Sequence, residues 1–193
     1  MELVDAYRLA LVAFRDRVAE VRADQWSAPT PCTEWSVRQL VNHVVYEERW
    51  SVPLIEGATL ASVGDRFEGD LLGDDPAGAT RTAVDASVRA VGEPGALDRT
   101  VELSIGPTPA TEYVRQLLAD HVVHGWDLAA AIGADRAIDD DLVSTVGGWF
   151  GPMEDAYRAG GIIADRVALP AGAGAQARLI AAFGRDPMWA GAA

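Results

Sequence analysis

Apolar residues recur at helical steps from the first residues of this chain, and that period constrains the fold more than any other feature. Leu3, Tyr7, Leu11, Phe14, Val18 and Val21 follow one another at steps of four or three. Such spacing lines one face of an α-helix and no face of a strand. A first helix is expected over Leu3–Val21, followed by a turn at Pro29 and Pro31. The second helix has a sharp start. Ser36 and Gln39 form an S-x-x-Q capping box, with Trp35 and Leu40 at the two positions that staple the entering chain. It is expected over Val37–Trp50, and a continuation past Pro53 would carry a kink.

Further along, Gly57 to Pro76 reads as a loop rich in Gly and Asp, and Pro76–Val91 as a third helix with proline in its first turn. Asp98 to Ile105 alternates weakly and is expected to be a short strand or an extended connection, closed by Pro107 and Pro109. Thr111 is placed to cap a fourth helix over Glu112–Ile132, which Gly133 stops. A fifth is expected over Asp140–Ala159 and a last short one over Ala173–Phe183, with Gly184 and Pro187 beyond it. The sum is an all-α bundle in one domain over residues 1–193, with at most a small β element.

Charge narrows the partners. The formal net charge is −13, and all 16 basic residues are arginine. Phosphate backbones and anionic membrane surfaces would repel such a chain, so neither nucleic acid nor membrane is expected as a partner. Hydrophobic residues make up 49% and are not gathered into a run long enough to span a bilayer. The N-terminus lacks a basic segment followed by an apolar one, so a soluble, cytoplasmic protein is expected. The single cysteine, Cys32, excludes an internal disulfide.

The three histidines carry the chemical signal. His43 lies in the stripe Leu40, His43, Val44, Glu47 of the second helix. The fourth helix contains Asp120, His121 and His124. Asp120 and His124 are four apart and His121 and His124 three apart, so either pair can share a helix face. Polar groups turned into a bundle need partners, since burying them bare costs about 1–3 kcal/mol each. Two ligands from one helix and one from a facing helix would hold a divalent metal: His43 and His124 with Asp120 or His121. A three-ligand set leaves a coordination position open, as catalytic sites do. It suits zinc, with nickel and iron as alternatives.

Other residues could border such a site. Glu47 is four after His43 and could be a ligand beside it, but a solvated carboxylate or one acting from behind a ligand is favoured. Asp127, three after His124, could orient it from behind or be a polar group near the helix end. Tyr46 is placed to line a pocket, and Arg38 could meet a substrate carboxylate or lie on the surface. Cys32 has no assignable base beside it, which argues against a nucleophile. Trp35, Trp50 and Trp126 are expected in the core or in pocket walls. Asp65 to Asp75 lacks the residue order of a calcium loop.

The segments PTPCTEWSVRQLVNHVV and LLADHVVHGWDLAAAIG resemble the two metal motifs of the DinB-like superfamily. They are most similar to its mycothiol-dependent maleylpyruvate isomerase branch, the metal-binding N-terminal domain. GDLLGDDP and LIAAFGRDPMW are similar to further members of that branch. The resemblance implies a DinB-like four-helix bundle with additional C-terminal helices, and a divalent metal, usually zinc, on three side chains. By position these are His43, His124 and Asp120, where the family pattern has Glu. Asp is one methylene shorter, which leaves His121 as the alternative third ligand. The resemblance also implies a low-molecular-weight thiol such as mycothiol as cofactor, and S-transfer or isomerisation of a small electrophilic substrate. It leaves a homodimer open. The competing functions are a non-catalytic metal or small-ligand binder and a metal-dependent hydrolase.

Overall fold

A computed structural model describes residues 1–191. Four long helices form the bundle: α1 (Leu3–Val18), α2 (Val37–Ile55), α4 (Pro76–Gly92) and α5 (Ala110–Ile132). Both α1 and α2 pack against α4 and α5. The stripe that predicted α1 is the face it buries: Tyr7, Leu11, Phe14 and Val18 are all within the core. Side chains of this size each stabilise the fold by about 1.5–3 kcal/mol when fully buried. The capping box that starts α2 is formed in both directions, Ser36 accepting from the Gln39 N–H and Gln39 accepting from the Ser36 N–H. Leu40 is fully buried and Trp35 packs against its cluster.

Several boundaries differ from expectation for local reasons. Helix α1 ends at Val18, three residues early. Helix α2 runs through Pro53 to Ile55. The loop before α4 holds a single helical turn, α3 (Leu60–Val63), capped reciprocally by Thr59 and Ser62. Pro76 opens α4 behind Asp75, whose side chain accepts from the Gly78 N–H.

The expected extended segment is half of a hairpin. Strand β1 (Thr100–Leu103) pairs antiparallel with β2 (Gly106–Pro109), in a register that sets Thr100 opposite Pro109 and Leu103 opposite Gly106. Ser104 and Ile105 form the turn, and Gly106 takes a φ of 109°, open to glycine at little cost. Two prolines in a row of four are tolerated because β2 is an edge strand. Helix α5 begins directly from it at Ala110, so Thr111 lies inside the helix and does not cap it.

The expected fifth helix is broken. It consists of α6 (Asp140–Phe150), a 3₁₀ turn over Gly151–Met153, and α7 (Glu154–Ala159). Pro152 has no N–H to continue the α-helical ladder. Helix α8 (Ala175–Ala182) packs on α6, which also touches α1 and α5. No helix among the described residues is long and apolar enough to cross a membrane.

Candidate metal centre

Helices α2 and α5 lie against each other and set the site. From α2 comes His43. From α5 come Asp120 and His124, one turn apart on one face. One ligand atom from each of His43, Asp120 and His124 lies within 4.8 Å of the others. His43 Nε2 is 3.3 Å from Asp120 Oδ2, and His124 Nε2 is 3.2 Å from Asp120 Oδ1. The two imidazoles meet edge to face, with centroids 5.2 Å apart. Trp35 covers both rings, at 4.5 Å from His43 and 5.4 Å from His124.

Two of these atoms are close without satisfying each other. His43 Nε2 and Asp120 Oδ2 are buried and lack an aligned hydrogen bond, although the Asp120 side chain as a whole is 30% exposed. Tetrahedral bonds of about 2.0–2.2 Å put neighbouring ligand atoms about 3.3–3.6 Å apart. The two nitrogen–oxygen spacings, each to a different Asp120 oxygen, lie near that value, and the three side chains are close enough to share one small cation. Asp120 reaches both histidines despite its shorter stem.

His121 is elsewhere. Successive helix positions do not face the same way, and His121 turns to the opposite side of α5. There its Nε2 lies 2.6 Å from Glu48 Oε1, both side chains being fully buried. Tyr7 donates to Glu48 Oε2 at 2.7 Å and touches the Ser87 hydroxyl, which in turn meets Ser51. Glu48 continues the buried stripe Val41, Val44, Val45. A carboxylate at that spacing was the available sequence signal for this polar cluster.

Behind His124 stands a second carboxylate. His124 Nδ1 lies 3.1 Å from Asp127 Oδ2, and Asp127 is fully buried. An ionised carboxylate only accepts, so Nδ1 carries the hydrogen and Nε2 faces Asp120. Arg185 holds Asp127 in place through Nε and Nη2, both at 3.2 Å. It arrives from the segment after α8, 58 residues along the chain. The segment carries helix-stop signals and part of the family resemblance, but no local signal marks its arginine as part of the site.

The carboxylates set the protonation of His124. Burial lowers its pKa, but Asp120 and Asp127 outweigh burial and hold it up to about 9. Burial likewise pushes Asp120 up, and His124 and His43 pull it well below the usual carboxylate range. Glu47 is pushed up to about 7, by burial first and then by Asp120.

The cluster opens onto a cavity of about 830 Å³ between α2, α5, the hairpin tip and the α6–α7 region. Tyr46, Glu47, Trp50 and Cys32 line it. Burial raises the Cys32 thiol pKa, with Arg185 as the largest opposing influence, so the thiol stays protonated at neutral pH. Arg38 does not line the cavity. It pairs with Asp70 at 2.7 Å and with the Gly73 carbonyl, tying the loop before α4 to α2.

Residues 7–129 match the family model described as the mycothiol maleylpyruvate isomerase N-terminal domain. The chain belongs to that family. It is also 32% identical over 146 residues to uncharacterised proteins from two strains of Mycobacterium tuberculosis, covering 74% of this chain and 74% of each relative. No solved structure matches it significantly. The match ends at residue 129, so Asp127 lies inside it and Arg185 outside.

Proposed function

We propose that the protein binds one divalent metal ion, zinc first among the alternatives, through His43, Asp120 and His124. In this reading it uses the ion in a thiol-dependent S-transfer or isomerisation of small electrophiles. The observation that carries the reading is the convergence of three ligand atoms within 4.8 Å at the wall of a large open cavity. Membership of a family described by a mycothiol-dependent isomerase supports a low-molecular-weight thiol as the cosubstrate in this reading.

Bound there, the ion would lower the pKa of a coordinated thiol so that the sulfur attacks as thiolate. The chain's own residues do the rest. Asp127, fixed by Arg185, holds the His124 ring in the tautomer that offers Nε2 to the ion. Trp35 covers the imidazoles and keeps water from that side. Glu47, with its pKa near neutrality at the cavity wall, accepts the proton that the incoming thiol gives up.

Loss of monochlorobimane, followed with and without a low-molecular-weight thiol, tests the reaction class. Consumption should require both thiol and metal and should vanish in His124→Ala. Turnover of an electrophile with no thiol present would replace this reading with metal-assisted hydrolysis.

A further inference from the structure

The cavity has two chemically distinct parts, and the one away from the candidate ligands bears on the second substrate. Trp50, Leu54, Tyr113, Trp149, Tyr157 and Phe183 line it. Two large apolar side chains stand at its rim, Ile105 at the hairpin tip, 80% exposed, and Ile162 after α7, 68% exposed. Being part of the cavity lining, both can add apolar contact to a bound molecule.

Charge points the same way. Among the described residues, Arg185 is the only cavity-lining side chain with a permanent positive charge. Its charge is already paired with Asp127, and three of its five N–H donors are engaged, Nε and Nη2 with Asp127 and Nη1 with the Phe183 carbonyl. Glu47 and Asp120 add acidic groups to the same walls. A divalent ion at the candidate centre would face the thiol, leaving a second anionic group of any substrate without an unpaired cation to meet it. A desolvated carboxylate with no cation beside it is strongly disfavoured.

We infer that the acceptor substrate is an uncharged electrophile with an apolar body of ring size, and not a dicarboxylate. The inference rests on the proposed use of this cavity for thiol chemistry. The aromatic walls would hold the body of the acceptor, and Ile105 and Ile162 would close over its outer end.

Binding can be measured apart from turnover. Zinc-loaded protein with excess 2-mercaptoethanol holding the open metal position is titrated calorimetrically with two unreactive probes, 1-naphthylmethanol and succinate. The uncharged ring should bind more tightly by a factor on the order of 100 or more. Succinate binding as tightly or more tightly, or no binding of the ring, would overturn the inference. In Ser104→Arg, which adds a cation on the hairpin side of the cavity and on neither ligand-bearing helix, the gap should shrink to about tenfold. An undiminished gap in the folded variant would also count against it. A protein that prefers the uncharged probe yet never consumes a thiol with any electrophile removes the transferase reading and leaves the cavity preference standing.

Discussion

Helices α2 and α5 each send polar side chains to two places, and the two places differ in what completes them. On one side, Glu48 and His121 meet at 2.6 Å in the core, where Tyr7 from α1 and Ser87 from α4 close round Glu48. On the other, His43, Asp120 and His124 converge at the wall of a cavity. The first cluster draws on all four bundle helices and is sealed. The second draws on two helices and is backed by Asp127 and Arg185, while its front is open. A sealed polar cluster can only hold helices together; one that opens onto a cavity can also take a ligand.

Substitutions should separate the two clusters by what they damage. The largest effect is expected from Glu48→Ala. It strands a buried partner and should cost about 3–5 kcal/mol of stability, measured by denaturant unfolding, with metal affinity of the folded protein nearly unchanged. His43→Ala and His124→Ala should do the reverse. Metal affinity should fall by more than about 100-fold, since a direct ligand matters more than its outer partners. The metal-free protein should keep its stability in His43→Ala and lose some in His124→Ala, which leaves Asp127 without its buried histidine partner. His121→Ala should follow Glu48→Ala and not the ligand pair; a loss of metal there would erase the distinction between the clusters.

Smaller effects sharpen the picture of the open cluster. Arg185→Gln should weaken metal binding by about 10-fold through Asp127, with Arg185→Lys intermediate, read by competition with a chelating dye. Metal binding should also depend on pH. His124 holds its proton up to about 9 in the metal-free protein and must give it up to coordinate. Affinity should therefore rise as pH rises, by about tenfold per unit below 9, and this dependence should flatten above it. Between pH 7 and 8, about one proton should be released per ion through this group, measurable by calorimetry in buffers of different ionisation enthalpy.

Local signals in the sequence account for much of this organisation. The apolar period gave α1, and the reciprocal cap at Ser36 and Gln39 gave the start of α2. The i, i+4 relation of Asp120 and His124 identified a shared face. Spacing alone left His121 in contention, because both pairs satisfy a one-turn rule; only the rotation of α5 against α2 assigns the two faces to different neighbours. The hairpin escaped because prolines at Pro107 and Pro109 argue against a strand unless it lies at an edge. Arg185 escaped because its partner is 58 residues away, a distance over which no local pattern speaks.

The most direct measurement is an anomalous-scattering map at the zinc edge from crystals of tag-free, zinc-supplemented protein. The expected result is one peak per chain, about 2.0–2.2 Å from His43 Nε2, His124 Nε2 and an Asp120 oxygen. A map with no peak there, and with both imidazoles hydrogen-bonded to protein groups instead, would contradict it.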